Sequence, residues 1–321
     1  MKAAVLQESN GPLVYRDWNV EANEGEKLLE VKFAAINRRD LWIQKGLYPG
    51  IKLPAVLGSD GLVYENDQAF LVNPNLDWGD NPRVPASSYH IRGLEKEGTF
   101  AEFTAVHPDR LAKKPSHLSD EQAAALPLGG LTAYRALVGN CNVQSTDRVF
   151  INGIGGGVAL FAAQFALAIG CEVHVSSSSQ SKIDQAIQLG ATGGVLYTSD
   201  MWGKNYKKQV GGFDVVIDSA GGDGFPQLIN LCNIGARIGI YGGTRGTING
   251  ISPQHLFFKQ IRIFGSTMGN DQEFSEMVDL VDKYKIVPHV DEVFRLQEIN
   301  KAFAYMKNKE RFGKVIIDCS N

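Results

Sequence analysis

Cysteine is scarce in this chain, and its few copies are scattered. The four are Cys141, Cys171, Cys232 and Cys319, and no two lie close enough to read as a redox or metal-binding pair. That excludes a disulfide-stapled framework and a cysteine-rich metal lobe, so the four are expected to be reduced and structural. The six histidines, His90, His107, His117, His174, His255 and His289, form no HExxH-like pair. Each is expected to be a surface or core residue. No apolar run reaches the ~20 residues of a membrane-spanning helix. The opening Met1–Leu6 is strand-like and lacks a signal peptide's apolar stretch and cleavage site, so a cytoplasmic location is expected. Basic excess is missing too: a net charge of −3 gives no field for nucleic acid.

What remains is an ordinary globular composition, 44% hydrophobic and 21% charged, over 321 residues. That length suits two domains with a large buried core.

The informative stretch is residues 148–182, RVFINGIGGGVALFAAQFALAIGCEVHVSSSSQSK. A β-branched apolar run, 148–152, leads into Gly153, Gly155, Gly156 and Gly157. An apolar helical segment, 158–169, stops at Gly170, and a second strand follows at 172–176. This is the pattern of a βαβ dinucleotide unit. Glycine permits the tight turn, bare backbone N–H groups can meet a pyrophosphate, and the helix N-terminus favours its charge. The third consensus glycine is replaced by Val158, which makes the fingerprint imperfect.

An NAD site places an acid about 20 residues beyond the first glycine, to hold the ribose 2′-hydroxyl. Here the sequence has Ser176, Ser177, Ser178 and Ser179, then Lys182. Hydroxyls and an ammonium suit a 2′-phosphate, so NADPH is the expected cofactor.

Further strands are expected at 194–197, 213–218, 236–241 and 261–265, with helices at 181–189, 224–233 and 253–259. Alternating strands and helices predict an α/β fold with a doubly wound parallel sheet. Residues 1–118 instead carry short β-type runs, at 28–35, 69–73 and 99–106, broken by Gly, Pro and Asn, with one short helix at 37–44. They predict a compact β-rich domain. Residues 74–98 are polar and turn-rich and read as a long surface loop. Ser119 and Gln122 form a capping box. It opens a helix pair expected to break at Pro127 and again at Gly129–Gly130. Beyond 270, amphipathic helices at 273–284 and 297–307 precede a strand at 314–318, which would return to the first domain.

The chain resembles the medium-chain dehydrogenase/reductase superfamily, and within it the zinc-free, quinone-oxidoreductase-like branch. The opening MKAAVL carries the likeness. So do Asn37 and Asp40 in N-x-x-D, Gly46 and Tyr48, and the run from Pro54 to Gly61. LPLGGLTAYRAL at 126–137, LGA at 189–191, DSAGG at 218–222 and FGKVII at 312–317 complete it. The resemblance implies a Rossmann NADPH-binding domain at 121–269 and a GroES-like catalytic domain made of 1–120 and 270–321. Zinc members carry cysteine where this chain has Asn37, and Gly-His-Glu where it has Gly58, Ser59 and Asp60, so no catalytic zinc is expected.

Without a strong Lewis acid, alcohol oxidation is harder and reduction of an activated acceptor is favoured. The expected reaction is hydride transfer from NADPH to a quinone or an α,β-unsaturated carbonyl, the small-molecule electron acceptor. The resemblance implies Asn37 and Tyr48 as the catalytic candidates: the amide as a donor to the oxygen that gains charge, the phenol as a donor or proton source. Arg38 and Arg39 read as a solvated pair, and Asp40 as a brace for the local backbone. By motif, Thr132, Gly242 and Thr244 should line the nicotinamide half. Gly153, Gly155, Gly156, Gly157 and Val158 should border the pyrophosphate. Ser176, Ser177, Lys182 and Tyr197 should sit at the 2′-phosphate end. Arg311, Gly313 and Lys314 form a closing segment, of which Lys314 is assigned to the cofactor. The competing readings are a zinc-type alcohol dehydrogenase-like enzyme and a non-catalytic NADPH sensor or RNA-binding protein. The apolar 261–266 strand, placed at a sheet edge, is the expected surface of a homodimer.

Overall fold

The computed structural model describes residues 1–94 and 96–320. It divides into two units, Met1–Leu131 with Gly269–Asn321, and Thr132–Met268. The first break falls inside a helix, after Leu131, rather than ahead of the helix pair.

The first unit is built on a mixed sheet in which Lys27–Ile36 is the central strand. It pairs antiparallel with Asp60–Glu65, with Phe103–Val106 and with Lys314–Asp318. The last of these returns from the far end of the sequence and brings a parallel neighbour, Val290–Arg295. Val290–Arg295 escaped sequence reading because it is nowhere fully buried, so its pattern lacks the apolar alternation of a half-buried strand. Ala34, Ile36, Val63, Val315 and Ile317 meet in one core cluster.

Residues 74–98 are not simply a surface loop. Asn75–Leu76 and His90–Ile91 pair antiparallel, Trp78 is 3% exposed and Arg92 is 1% exposed. The Arg92 guanidinium donates to the carbonyls of Glu97 and Ala105 and to the Thr104 hydroxyl. A buried cation thus takes the place of an apolar core for this segment. Its burial draws the guanidinium down to about 10, still charged at neutral pH.

Ser119 and Gln122 do cap the helix Asp120–Ala124. Pro127 occupies the first turn of the next helix, Pro127–Tyr134, where its missing N–H costs nothing. Gly129 and Gly130 do not interrupt it. A Cβ at Gly130 would lie 2.7 Å from Leu126 Cδ1 and 3.0 Å from Met277 Sδ, so this glycine serves close packing.

The second unit carries a six-stranded parallel sheet. Its order is Gly193–Leu196, Glu172–Ser177, Arg148–Ile151, Phe213–Asp218, Cys232–Ile240, Arg262–Gly265. This is the doubly wound order with the switch point beside the first strand. Trp202–Val210 is a helix that the sequence pattern did not predict. Its Trp202 and Tyr206 are buried among Phe150 and Phe213, and it supplies the crossover between two parallel strands. Residues 232 and 233, expected to end a helix, instead open the strand Cys232–Ile240. No helix among the described residues is long and apolar enough to cross a membrane.

Candidate functional site

In the first unit, Asn37 caps the helix Arg38–Gln44. Its backbone N–H donates to Asp40 Oδ2 at 2.7 Å, which is the brace expected of Asp40. The other oxygen, Asp40 Oδ1, is buried without a hydrogen-bond partner. Burial raises this carboxyl from 3.8 to about 6, against the pull of the Arg39 charge and the Asn37 N–H.

The Asn37 side chain is part of a closed triad. Lys314 Nζ donates to Asn37 Oδ1 and to Asp60 Oδ2, both at 2.7 Å. Asn37 Nδ2 donates to the same Asp60 oxygen at 2.8 Å. Asp60 Oδ1 accepts the Leu128 N–H at 2.6 Å. Asp60 is fully buried, and Lys314 and Asn37 are 4% and 7% exposed. One Asn37 amide hydrogen is therefore spent on Asp60, and the second has no acceptor among the described residues. Sequence reading placed Lys314 against the cofactor; its ammonium is engaged inside this triad.

Arg39, expected in solvent, is 8% exposed. It donates to the Ser59 hydroxyl at 2.5 Å and to the Arg92 carbonyl at 2.9 Å, and its guanidinium lies 4.9 Å from the centre of the Tyr48 ring. Arg38 is exposed, as expected. Tyr48 is half-buried beside the core of this unit, and its hydroxyl makes no hydrogen bond among the described residues.

This arrangement does not fit a zinc centre. Of the two positions where zinc members hold metal, Asn37 bonds an ammonium through its only strong acceptor. Ser59 is held by Arg39 and in turn donates to the Arg92 carbonyl at 2.9 Å. Among the described residues, no three His, Cys, Asp or Glu side chains are placed to hold a metal ion. Two fixed cations stand where a metal would need vacant donors.

In the second unit, Gly153 and Gly155 have φ of +77° and +117°, which explains glycine there. Gly156 precedes the helix Gly157–Ile169, whose first turn has no side-chain cap. Added Cβ atoms at Gly153 or Gly156 would meet nothing within 4 Å. Uncapped N–H groups facing open space fit a pyrophosphate. Val158 is the second residue of the helix and half-buried, so the imperfect consensus does not break the turn.

The serine run divides into two kinds. Ser176 is fully buried. Its hydroxyl donates to Asn152 Oδ1 at 2.6 Å and accepts the Gly153 N–H at 3.1 Å. Its hydroxyl, expected at the phosphate, is engaged on both sides here and ties the two strand ends together. Asn152 also donates to Asp218 Oδ1 at 2.6 Å, and Asp218 accepts the N–H groups of Ala220 and Gly221. Sequence reading missed this chain of bonds, because nothing in the spacing shows that Asn152 and Asp218 end adjacent strands. Ser177 is 3% exposed and its hydroxyl accepts the Ser179 N–H at 3.2 Å. Ser178 is exposed and Lys182 half-buried. The Tyr197 N–H donates to the Ser177 carbonyl at 3.1 Å, so these residues do come together.

Gly242 and Thr244 belong to a loop fastened to residues 219–222. The Thr244 N–H donates to the Ser219 carbonyl at 3.2 Å, and a Cβ at Gly242 would lie 2.9 Å from that same oxygen. Thr132 is 7% exposed, with its hydroxyl 3.7 Å from Met268 Sδ.

The zinc-binding dehydrogenase family matches residues 157–283. A zinc-type alcohol dehydrogenase-like protein, YogA, of Leptosphaeria maculans is 32% identical, over 91% of this chain and 90% of its own length. The chain belongs to the medium-chain dehydrogenase/reductase superfamily. Other members of this superfamily extend the comparison. Acryloyl-coenzyme A reductase of Metallosphaera sedula is 27% identical over 99% of both chains. The crystal structure of an NAD-dependent alcohol dehydrogenase superposes with a TM-score of 0.93, at 32% identity and covering all of both chains. The protein is thus an oxidoreductase of the medium-chain dehydrogenase/reductase superfamily, with a Rossmann unit and a catalytic unit.

Proposed function

We propose that this protein is an NADPH-dependent reductase that acts, without zinc, on quinones or α,β-unsaturated carbonyl compounds. The observation that carries the reading is the Lys314–Asn37–Asp60 triad, which occupies the side chains a metal-assisted alcohol dehydrogenase would need free. Bound NADPH supplies the hydride from its nicotinamide ring. The chain's own residues hold and polarise. The glycine turn offers the backbone N–H groups of Gly155, Gly156 and Gly157 to the pyrophosphate, those of 153 and 154 being held by Ser176. Ser178 and Lys182 favour a 2′-phosphate, with no carboxylate in the serine turn to repel it. The remaining Asn37 amide hydrogen and the Tyr48 hydroxyl meet a carbonyl oxygen as it gains charge, and Tyr48 or water returns the proton.

A relative named for reduction of an acryloyl thioester supports the activated-alkene class. Two relatives named for alcohol dehydrogenase activity, one of them NAD-dependent, favour a second reading, alcohol oxidation with NAD. The occupied donor set opposes it.

Initial rates of NADPH oxidation in chelator-treated buffer, against a quinone and a 2-alkenal with NADH alongside, decide between them. Turnover with NADPH and little with NADH is expected. Alcohol oxidation that needs stoichiometric zinc would replace the proposal with the second reading.

A further inference from the structure

One cation near the serine turn is not explained by the cofactor site as described. Arg245 lies in the loop after Cys232–Ile240, and its backbone is fixed: its N–H donates to the Ala220 carbonyl at 2.8 Å, and the Gly222 N–H donates to the Gly246 carbonyl at 3.0 Å. The loops touch so closely that a Cβ on Gly222 would sit 2.7 Å from the Arg245 carbonyl oxygen. Ile248 and Ile251, further along the loop, pack on the apolar cluster of the sheet. From this anchored position the side chain reaches out, and its guanidinium rests 5.4 Å from the centre of the Tyr197 ring.

Tyr197 follows the edge strand Gly193–Leu196 and is joined through its N–H to Ser177. Arg245 thus comes from beyond one side of the glycine turn to a residue on the other, across the carboxyl ends of the strands where a dinucleotide lies. It is exposed and has no carboxylate partner among the described residues. A planar fork of donors resting on a tyrosine is pre-organised for a phosphate monoester. Lysine lacks both the fork and the stacking.

We propose that Arg245, stacked on Tyr197, is the principal determinant of 2′-phosphate recognition in this chain, closing over the turn that carries Ser178 and Lys182. The inference rests on the NADPH reading above and assigns its specificity to a residue outside the serine turn.

The test is calorimetric titration of the full protein with 2′,5′-ADP and with 5′-AMP, for wild type, Arg245→Gln and Tyr197→Leu. Wild type should bind 2′,5′-ADP more tightly, and added salt should erode that preference. Arg245→Gln should weaken 2′,5′-ADP by about tenfold or more and leave 5′-AMP within about twofold. Tyr197→Leu should give a smaller loss in the same direction, because the guanidinium keeps its charge and loses its support. Unchanged 2′,5′-ADP affinity in Arg245→Gln overturns the assignment and spares the NADPH reading. Equal weakening of both nucleotides overturns it too, because the arginine then acts on the adenine. A wild type that cannot tell the two nucleotides apart removes the NADPH reading and this proposal together.

Discussion

Lys314 sets its ammonium 2.7 Å from a carboxylate oxygen of Asp60, a residue 254 positions earlier in the chain, and neither side chain is more than 5% exposed. A buried pair of this kind contributes little over a well-packed apolar pair, but removing one partner strands the other. Lys314→Met should therefore cost about 3–5 kcal/mol in urea unfolding. Adding Asp60→Asn to it should restore a large part, since the amide still offers an acceptor to Leu128. A loss below about 1 kcal/mol in the single variant would show that water reaches Asp60.

Asp40 gives a pH signature. Its native carboxyl titrates near 6 and its ordinary value is 3.8, so between the two the folded protein holds more protons than the unfolded chain. The group's stabilising contribution is complete below 3.8 and is lost as pH rises through about 6, a change of about 3 kcal/mol. Asp40→Asn removes that dependence. The stability difference between wild type and variant should fall from pH 4 to pH 7, and a flat difference would mean that the carboxyl is not desolvated.

Tyr48→Phe keeps the ring beside Arg39 and deletes only the hydroxyl. If the phenol supplies the proton, turnover of a 2-alkenal should fall about 10²-fold while quinone reduction, which bulk water can complete, changes little. Alkenal turnover unchanged from wild type would leave Tyr48 as a wall of the pocket.

The thiols should be silent in the native state. Burial pushes Cys141 and Cys232 up to about 12 and Cys171 to about 11, and Cys319 is also buried and raised. A disulfide-exchange reagent at pH 8 should label none within minutes and all four after denaturation. Rapid labelling of the native protein would contradict the described burial.

The sheet edge makes a prediction about assembly. Arg262–Gly265 pairs on one side only, and Ile234, Phe257 and Phe258 nearby in the unit are 79%, 52% and 76% exposed. A free strand beside exposed rings suits a second copy of the chain. Light scattering should give a dimer for the wild type and a monomer for Ile263→Lys. A monomeric wild type would end this reading.

The strand–helix alternation of the second unit was legible because its buried parallel strands are continuous apolar runs closed by glycine. Gly170 is a plain example, with a φ of +101° at the helix end. The helix Trp202–Val210 was not legible, because its lysines mask an apolar face of only a few residues. Of the candidate site, the glycine turn could be read from residue type and spacing, whereas Asn37 came only from the family resemblance. Arg39 could not: an arginine next to another arginine reads as solvated, and only the fold shows that Ser59 and the Arg92 carbonyl wait for it. The closing segment that carries Lys314 was legible, but its contact with Asp60 was not, since a buried acid leaves no periodic trace. The inward direction of Ser176 was hidden for a related reason. A run of like residues hides which of them points inward.

The pairing of Lys27–Ile36 with Lys314–Asp318 has a consequence in time as well as in space. A ribosome releases residues 132–268 as one uninterrupted stretch, so the nucleotide unit can form while synthesis continues. The catalytic unit must wait for residue 318 before its central strand gains its last antiparallel neighbour, and until residue 314 appears Asp60 has no ammonium to face. Such long-range closure is slow and leaves unpaired strand surface exposed to aggregation. Arrest of translation shortly before residue 314 should therefore yield a folded nucleotide unit attached to an unfinished sheet.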